Sequence, residues 1–315
     1  MSTTLVTGGA GFIGSHIATR LVERGDRVRV LDNFANSTPQ NIAHIGDEIE
    51  LIEGDLRNSE AVARAVAGVE LIYHEGALGS VPRSIADPRT SFEVNVIGTL
   101  NVLNAARDAG VRRVVYASSS SVYGNTPTLP KREEMKPMPL SPYAVSKLSA
   151  EQLCQVFHGV YGLETVALRY FNVFGPRQTP DSQYAAVMPK FLRAYTKGEQ
   201  PVIYGDGEQS RSFTYIDNVV EGNLLAGMAP GAAGQVVNLA SDRACSVNHI
   251  ARRIAEILGV EFKPRHESPR AGDVRDSLAD IGVAREVLGW EPTVSFDEGL
   301  ERTVAAYVTG LRARA

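Results

Sequence analysis

The sequence predicts an α/β fold, a doubly wound parallel sheet with a smaller C-terminal lobe. Three observations carry that expectation. Short apolar runs alternate with helix-length stretches through the first half of the chain, a glycine-rich turn joins the first strand to the first helix, and the rhythm changes after about Asn172. Strands separated by helices need crossover connections, which build a parallel sheet covered on both faces.

Taken in order, strands are expected at residues 4–7, 28–31, 50–53, 71–74, 113–118 and 165–170. Helices are expected between them at 13–24, 91–109 and 142–160. Past Asn172, Gly175-Pro176-Arg177 and Thr179-Pro180-Asp181 read as loop, 184–197 as helix and 201–204 as a short strand. A strand at 236–239, a helix at 247–258, a second loop at 268–273 and a last helix at 296–311 complete the chain. The first domain is expected to span 1–173 with returning segments at about 209–241, and the lobe 174–208 and 242–315.

Composition narrows the class. At 315 residues the chain is about twice a typical single-domain length. Hydrophobic residues at 43% and charged residues at 22% exclude a disordered chain. A net charge of −4 supplies no broad basic field for nucleic acid or an anionic membrane. Cys154 and Cys245 are far apart and form no CxxC, so neither a disulfide framework nor a zinc site is expected, and a reducing compartment fits. No apolar run approaches the roughly 18 residues of a membrane helix. Strand-like residues follow Met1 almost at once, leaving no room for a signal peptide. These features lead us to expect a cytoplasmic protein without a nucleic-acid, membrane or metal partner.

Two constellations carry chemistry. In Gly8-Gly9-Ala10-Gly11-Phe12-Ile13-Gly14 the glycines permit a tight turn, close approach to a pyrophosphate, and close helix–strand packing. The helix that follows presents free N–H groups and a positive dipole end to phosphate. Asp32 ends the second strand, where a carboxylate accepts from an adenosine ribose and repels a 2′-phosphate, favouring NAD over NADP. Asp55 ends the third strand and either reaches the adenine edge or caps a helix. The second constellation is Tyr143 and Lys147, four residues apart, behind Ser141-Pro142, a good helix start. The helix N-terminus and the Lys147 ammonium are both expected to lower the phenol's pKa and make it a general base. The serine run 118–121 ends the preceding strand, at the sheet edge where such folds bind ligands.

These motifs, with TGGAGFIGSH (7–16), ASSSSVYG (117–124), SPYAVSK (141–147) and RYFNVFGPRQ (169–178), resemble the extended short-chain dehydrogenase/reductase family. Within it they resemble the nucleotide-sugar 4-epimerases, over essentially the whole chain. The resemblance implies a Rossmann-type domain with Tyr143 as base, Lys147 as its partner and an NAD-ribose ligand, and Ser119 as the hydroxyl nearest the reacting oxygen. It implies NAD held by Gly8, Gly11, Phe12, Ile13, Gly14, Asp32, Asn33, Asp55, Leu56, Ala77, Asn95 and Tyr170, together with Tyr143 and Lys147. Ser120 and Ser121 would line the sugar pocket. Asn172, Arg211 and Arg270 would hold the diphosphate, Asp273 the ribose, and Tyr204 would stack on uracil, with Val187 and Val202 among the substrate contacts.

The resemblance also discriminates reactions. Relatives that dehydrate sugars carry an acidic pair where this chain has Ser120 and Ser121, and decarboxylases keep a glutamate at the place of Ser121. That leaves 4-epimerisation: oxidation at C4 to a 4-keto sugar, rotation and re-reduction. Ser277 stands where relatives restricted to glucose and galactose carry tyrosine, and Gly79 where they carry lysine. Both leave room for an N-acetyl group, so UDP-N-acetylglucosamine/galactosamine is favoured, with UDP-glucose/galactose also accepted; Ser277 as a plain packing residue is the competing reading.

UDP-glucuronate 4-epimerase is the runner-up, with Arg177 as its source of positive charge. An NAD-sensing regulator without turnover is the alternative of another class. Gly76 stands where relatives usually have alanine and is expected to loosen the backbone. Glu75 is expected to face solvent, without a role. The helices at 91–109 and 142–160 resemble those that pair in a homodimer.

Overall fold

The computed structural model describes residues 3–178, 187–241, 243–268 and 276–312. Along β1 (Thr3–Thr7), Leu5 belongs to one hydrophobic cluster and Val6 to a second. Strands buried on both faces need apolar side chains pointing both ways. The pattern recurs in β2 (Arg27–Asp32), where Val30 and Leu31 divide between the clusters. Next come β3 (Ile49–Glu53), β4 (Val69–His74), β5 (Arg113–Ser119), β6 (Glu164–Tyr170) and β7 (Val236–Leu239). The seven form one parallel sheet in the order β7-β6-β5-β4-β1-β2-β3. The order reverses between β1 and β4, and a ligand crevice opens at the carboxyl ends of strands at such a switch.

The helices are α1 (Phe12–Glu23), α2 (Ser59–Val66), α3 (Val81–Ala86), α4 (Pro88–Phe92), α5 (Gly98–Asp108), α6 (Pro142–Tyr161), α7 (Val187–Thr196), α8 (Ile216–Met228), α9 (Val247–Leu258) and α10 (Phe296–Arg312). Ile17 and Leu21 of α1 join Val219 and Leu224 of α8 on one face of the sheet. Val62 of α2, Val102 of α5 and Cys154 of α6 cover the other. No helix among the described residues is long and apolar enough to cross a membrane.

Two expectations need correction. The helix expected over 91–109 is interrupted by a π-helical segment, Glu93–Ile97, between α4 and α5. Its wide turn carries Asn95, which binds the backbone of Leu78 through its side chain. Helix α8, absent from the sequence reading, is buried around most of its surface, so it shows little of the periodicity that marks an amphipathic helix. Beyond the sheet, Ser210–Ser212 pairs antiparallel with Ala244–Ser246 and parallel with Asp276–Ser277.

Helix α6 is held at both ends and in the middle. The Ser141 hydroxyl accepts the Ala144 N–H at 3.1 Å, Pro142 takes the first position, and Gly162 closes the helix in the left-handed region at φ 71°. Glu151, fully buried, accepts from Arg169 Nη2 at 2.7 Å and Nε at 3.1 Å, and from the Ser118 hydroxyl at 2.6 Å. Arg169 also lies over the Tyr123 ring, 4.7 Å from its centroid. Removing one member of such a pair strands a buried charge. Glu151→Leu is therefore expected to cost about 3–5 kcal/mol in urea unfolding, and adding Arg169→Met to recover most of it. A single-variant cost under about 1 kcal/mol would show that the pair does not anchor the helix.

Candidate active site

Backbone packing shapes the mouth of the crevice. Gly8 has φ 65°, and a Cβ there would lie 2.7 Å from the Gly76 backbone. A Cβ on Gly14 would lie 2.3 Å from the Gly8 carbonyl oxygen. Gly11 caps α1 without a side-chain acceptor, so the first-turn amides are left for an external anion. Gly76 is the other half of the backbone contact with Gly8. A Cβ at Gly76 would lie 2.8 Å from Leu56 Cδ1, and its N–H bonds to the Thr7 hydroxyl.

From this turn a cavity of about 1190 Å³ runs across the sheet edge. Gly8, Gly11, Phe12, Ile13, Gly14, Asp32, Asn33, Asp55, Leu56, Ala77 and Tyr170 line one part of it. Ser119, Ser120, Ser121, Tyr143, Asn172, Arg211 and Ser277 line the rest. Val187, Val202 and Tyr204 line an adjoining hollow of about 260 Å³, which shares Asn172 and Arg211. Arg270 and Asp273 lie outside the described residues.

Asp32 is buried and oriented by three donors: Ala10 N–H to Oδ2 at 3.0 Å, and Phe34 N–H and the Ser37 hydroxyl to Oδ1 at 2.8 and 2.7 Å. Asp55 is not a helix cap, since Asn58 takes that position on α2. Hydrogen bonding from Arg57 holds the Asp55 carboxyl down at about 2, and Asn33 donates to the same group at 2.9 Å. An anionic carboxylate, open amides and a glycine cradle together fit an NAD molecule.

Tyr143 and Lys147 lie in a different electrostatic setting from the one expected. Lys147 is buried, its ammonium donating to the Ala117 carbonyl at 2.8 Å, and burial brings it down to about 8. The Tyr143 phenol lies above its usual value, because burial outweighs the opposing hydrogen bond with Ser119. The expected lowering by Lys147 and the helix terminus is therefore overturned by desolvation. Ser119 accepts from the Ser121 hydroxyl at 2.9 Å and from its N–H at 3.2 Å. Asn95 is buried behind the wall, with Oδ1 accepting Leu78 N–H and Nδ2 donating to Ser146. It supports the Leu78 loop rather than lining the cavity.

Three residues differ from expectation or escaped it. Glu75 does not simply face solvent. It lines the cavity, its carboxyl lies 2.8 Å from Tyr170 Oη, and burial pushes it up to about 7. Arg177 turns away: it donates to the Ser15 carbonyl, Thr19 and His44 across α1. Lys131, unremarked in the sequence, lines the cavity at 2% exposure, its ammonium held by Thr126. Its burial follows from pairing between Lys131 and Ala279, a contact no local pattern announces.

A family model described as the NAD dependent epimerase/dehydratase family matches residues 4–240. The UDP-glucose 4-epimerase of Mycolicibacterium smegmatis is 38% identical over 305 residues, covering 96% of this chain and 97% of that one. The structure of UDP-N-acetylglucosamine 4-epimerase from Methanobrevibacter ruminantium, in complex with UDP-N-acetylmuramic acid, matches with TM-score 0.94 and 36% identity over 98% of this chain and 99% of that one. UDP-glucuronic acid 4-epimerase from Bacillus cereus, in complex with UDP-glucuronic acid and NAD, matches with TM-score 0.91 and 31% identity over 98% of this chain and 99% of that one. With the family model spanning most of the chain and its cofactor suited to the cavity at the β1–β4 switch, the chain belongs to the NAD-dependent epimerase/dehydratase family.

Proposed function

We propose that the protein is a UDP-sugar 4-epimerase that favours UDP-N-acetylglucosamine and UDP-N-acetylgalactosamine and also accepts UDP-glucose and UDP-galactose. The observation carrying this reading is that Tyr143 and Ser119 border the cavity that begins at the glycine turn and ends at Arg211 and Ser277. NAD, when bound, supplies the acceptor and donor of hydride at the sugar C4. Tyr143 takes the proton from the 4-hydroxyl as general base, and Ser119 holds the same oxygen by a hydrogen bond. Lys147, one helical turn beyond Tyr143 on α6, is buried with its ammonium on the Ala117 carbonyl. A firm grip on the nucleotide and a loose one on the sugar allow the intermediate to turn, and Arg211 and Asn172 are suited to the first task.

Substrate preference rests on the sugar end. Ser277 is in register with Arg211, so a small side chain stands next to the diphosphate end of the cavity. A Cβ at Gly79 would meet nothing within 4 Å, so no packing demand accounts for that glycine. Ser120 and Ser121 lack the acidity that dehydration needs. The second reading is UDP-glucuronate. Arg177 is occupied elsewhere and gives it no support, whereas the Lys131 ammonium supplies a cation in the cavity wall.

We further propose a homodimer built on α5 and α6. Ile97, Val145, Val156 and Val160 stay exposed on these helices or just ahead of them, an apolar surface suited to burial against a second copy.

The purified protein, with no NAD added, is expected to convert UDP-N-acetylglucosamine to its 4-epimer, as followed by chromatography. Conversion of glucuronate alone would move the second reading to first place, and no conversion after NAD is shown to bind would defeat the epimerase reading. Ser277→Tyr is expected to lower kcat/KM for the N-acetylated sugars by at least about tenfold relative to the plain ones. An unchanged ratio would show that Ser277 is a packing residue.

A further inference from the structure

The Tyr170 hydroxyl lies 2.8 Å from Glu75 Oε1 and 2.9 Å from Asn223 Oδ1. Asn223 is fully buried, and its Nδ2 donates to the Val219 carbonyl at 2.8 Å, so the amide orientation is set and its oxygen faces Tyr170. A phenol has one proton to give. Two acceptors cannot both receive it, so a second proton must lie between Tyr170 and one of its partners. Asn223 Oδ1 can only accept. The remaining proton therefore belongs on Glu75.

We propose that Glu75 works as a neutral carboxylic acid, donating to Tyr170, which donates in turn to Asn223, and that this ordered relay makes Glu75 a positioning residue of the cofactor wall. The relay joins three elements that meet only in the folded chain: the loop after β4, the end of β6, and α8. Its consequence for the site concerns Lys147. Among the described residues Lys147 forms no ion pair, and its ammonium is committed to the Ala117 carbonyl. A neutral Glu75 leaves that charge without a counter-charge from the cofactor wall. An ionised Glu75 would supply a counter-charge and draw on it.

Most of the groups facing Glu75 carry no charge that would favour its ionised form. Tyr170 from β6, Tyr116 from β5 and Asn223 from α8 are uncharged at neutral pH, and His74 on its own segment is held neutral by burial between Thr7 and Thr99. Lys147 from α6 is the charged neighbour and favours the ionised carboxylate, but burial is the larger effect. Burial raises the carboxyl to about 7, so the relay is complete below that pH and loses one bond as pH rises through it. The inference concerns the cofactor wall and holds whichever sugar is turned over.

The test is infrared difference spectroscopy of the intact protein against Glu75→Gln, from about pH 5 to about pH 9. Glutamine offers Tyr170 an N–H and keeps the relay. The expected result is a protonated-carboxyl band that the variant lacks and that disappears as pH passes neutrality. Asn223→Leu removes the acceptor for the Tyr170 proton and redirects it to Glu75, so the midpoint is expected to fall by about one pH unit or more. That shift is read from spectra of Asn223→Leu against the wild type and does not depend on the first variant. A wild-type spectrum without the band at about pH 6, or a midpoint that Asn223→Leu leaves in place, would overturn the proposal.

Discussion

The buried Arg169–Glu151 pair is the constraint from which the geometry of the site follows. Tyr143, Lys147 and Glu151 are spaced by four residues on one helix, so fixing Glu151 against the sheet fixes the azimuth of the other two. The strands supply the matching half. Ser118 donates to Glu151, and because side chains alternate along a strand, Ser119 is turned the other way, toward the cavity and Tyr143. One ion pair thus sets helix rotation and strand register together. It lies under the site rather than in it, and takes no part in the proposed chemistry.

A second constraint is steric. Gly8 and Gly76 bring the loops after β1 and β4 into backbone contact at the point where strand order reverses. A side chain on Gly8 would separate the loops and displace the turn that opens α1, whereas one on Gly76 would first meet the flexible end of Leu56. The cavity beyond has a graded lining. Asp32 and Asp55 stand at the cofactor end, where hydroxyl donors need acceptors. Lys131 and Arg211 line the same cavity, and in the proposed function Arg211 would meet the diphosphate of the UDP-sugar.

Much of this was legible in the sequence because its signals are local. The glycine turn, Asp32 at a strand end, the Ser141-Pro142 start and the Tyr143–Lys147 spacing each need only a few neighbouring residues. The strand over 236–239 and the helix over 247–258 emerged with their expected limits. What escaped depends on distant partners. Glu75 read as a solvent-facing charge because its environment is made by Tyr170 and Asn223, and Lys131 read as nothing because Ala279 and Leu278 bury it. The phenol of Tyr143 was expected to be lowered by a neighbouring ammonium, but burial, a property of the whole fold, acts in the other direction and is larger. Arg177 offered a charge in the sequence, and the fold spends it on tying its loop to α1.

The central claim is that one hydrogen leaves C4 and returns to the opposite face of the same sugar without exchange. The direct measurement is to supply UDP-N-acetylglucosamine carrying deuterium at C4, mixed with unlabelled substrate of distinguishable mass, and to analyse the epimerised product by mass spectrometry and NMR. Deuterium is expected to stay at C4 of the molecules that carried it, with no transfer to the unlabelled pool and no loss to water. Washing-out of the label, or its appearance in the unlabelled pool, would contradict the claim.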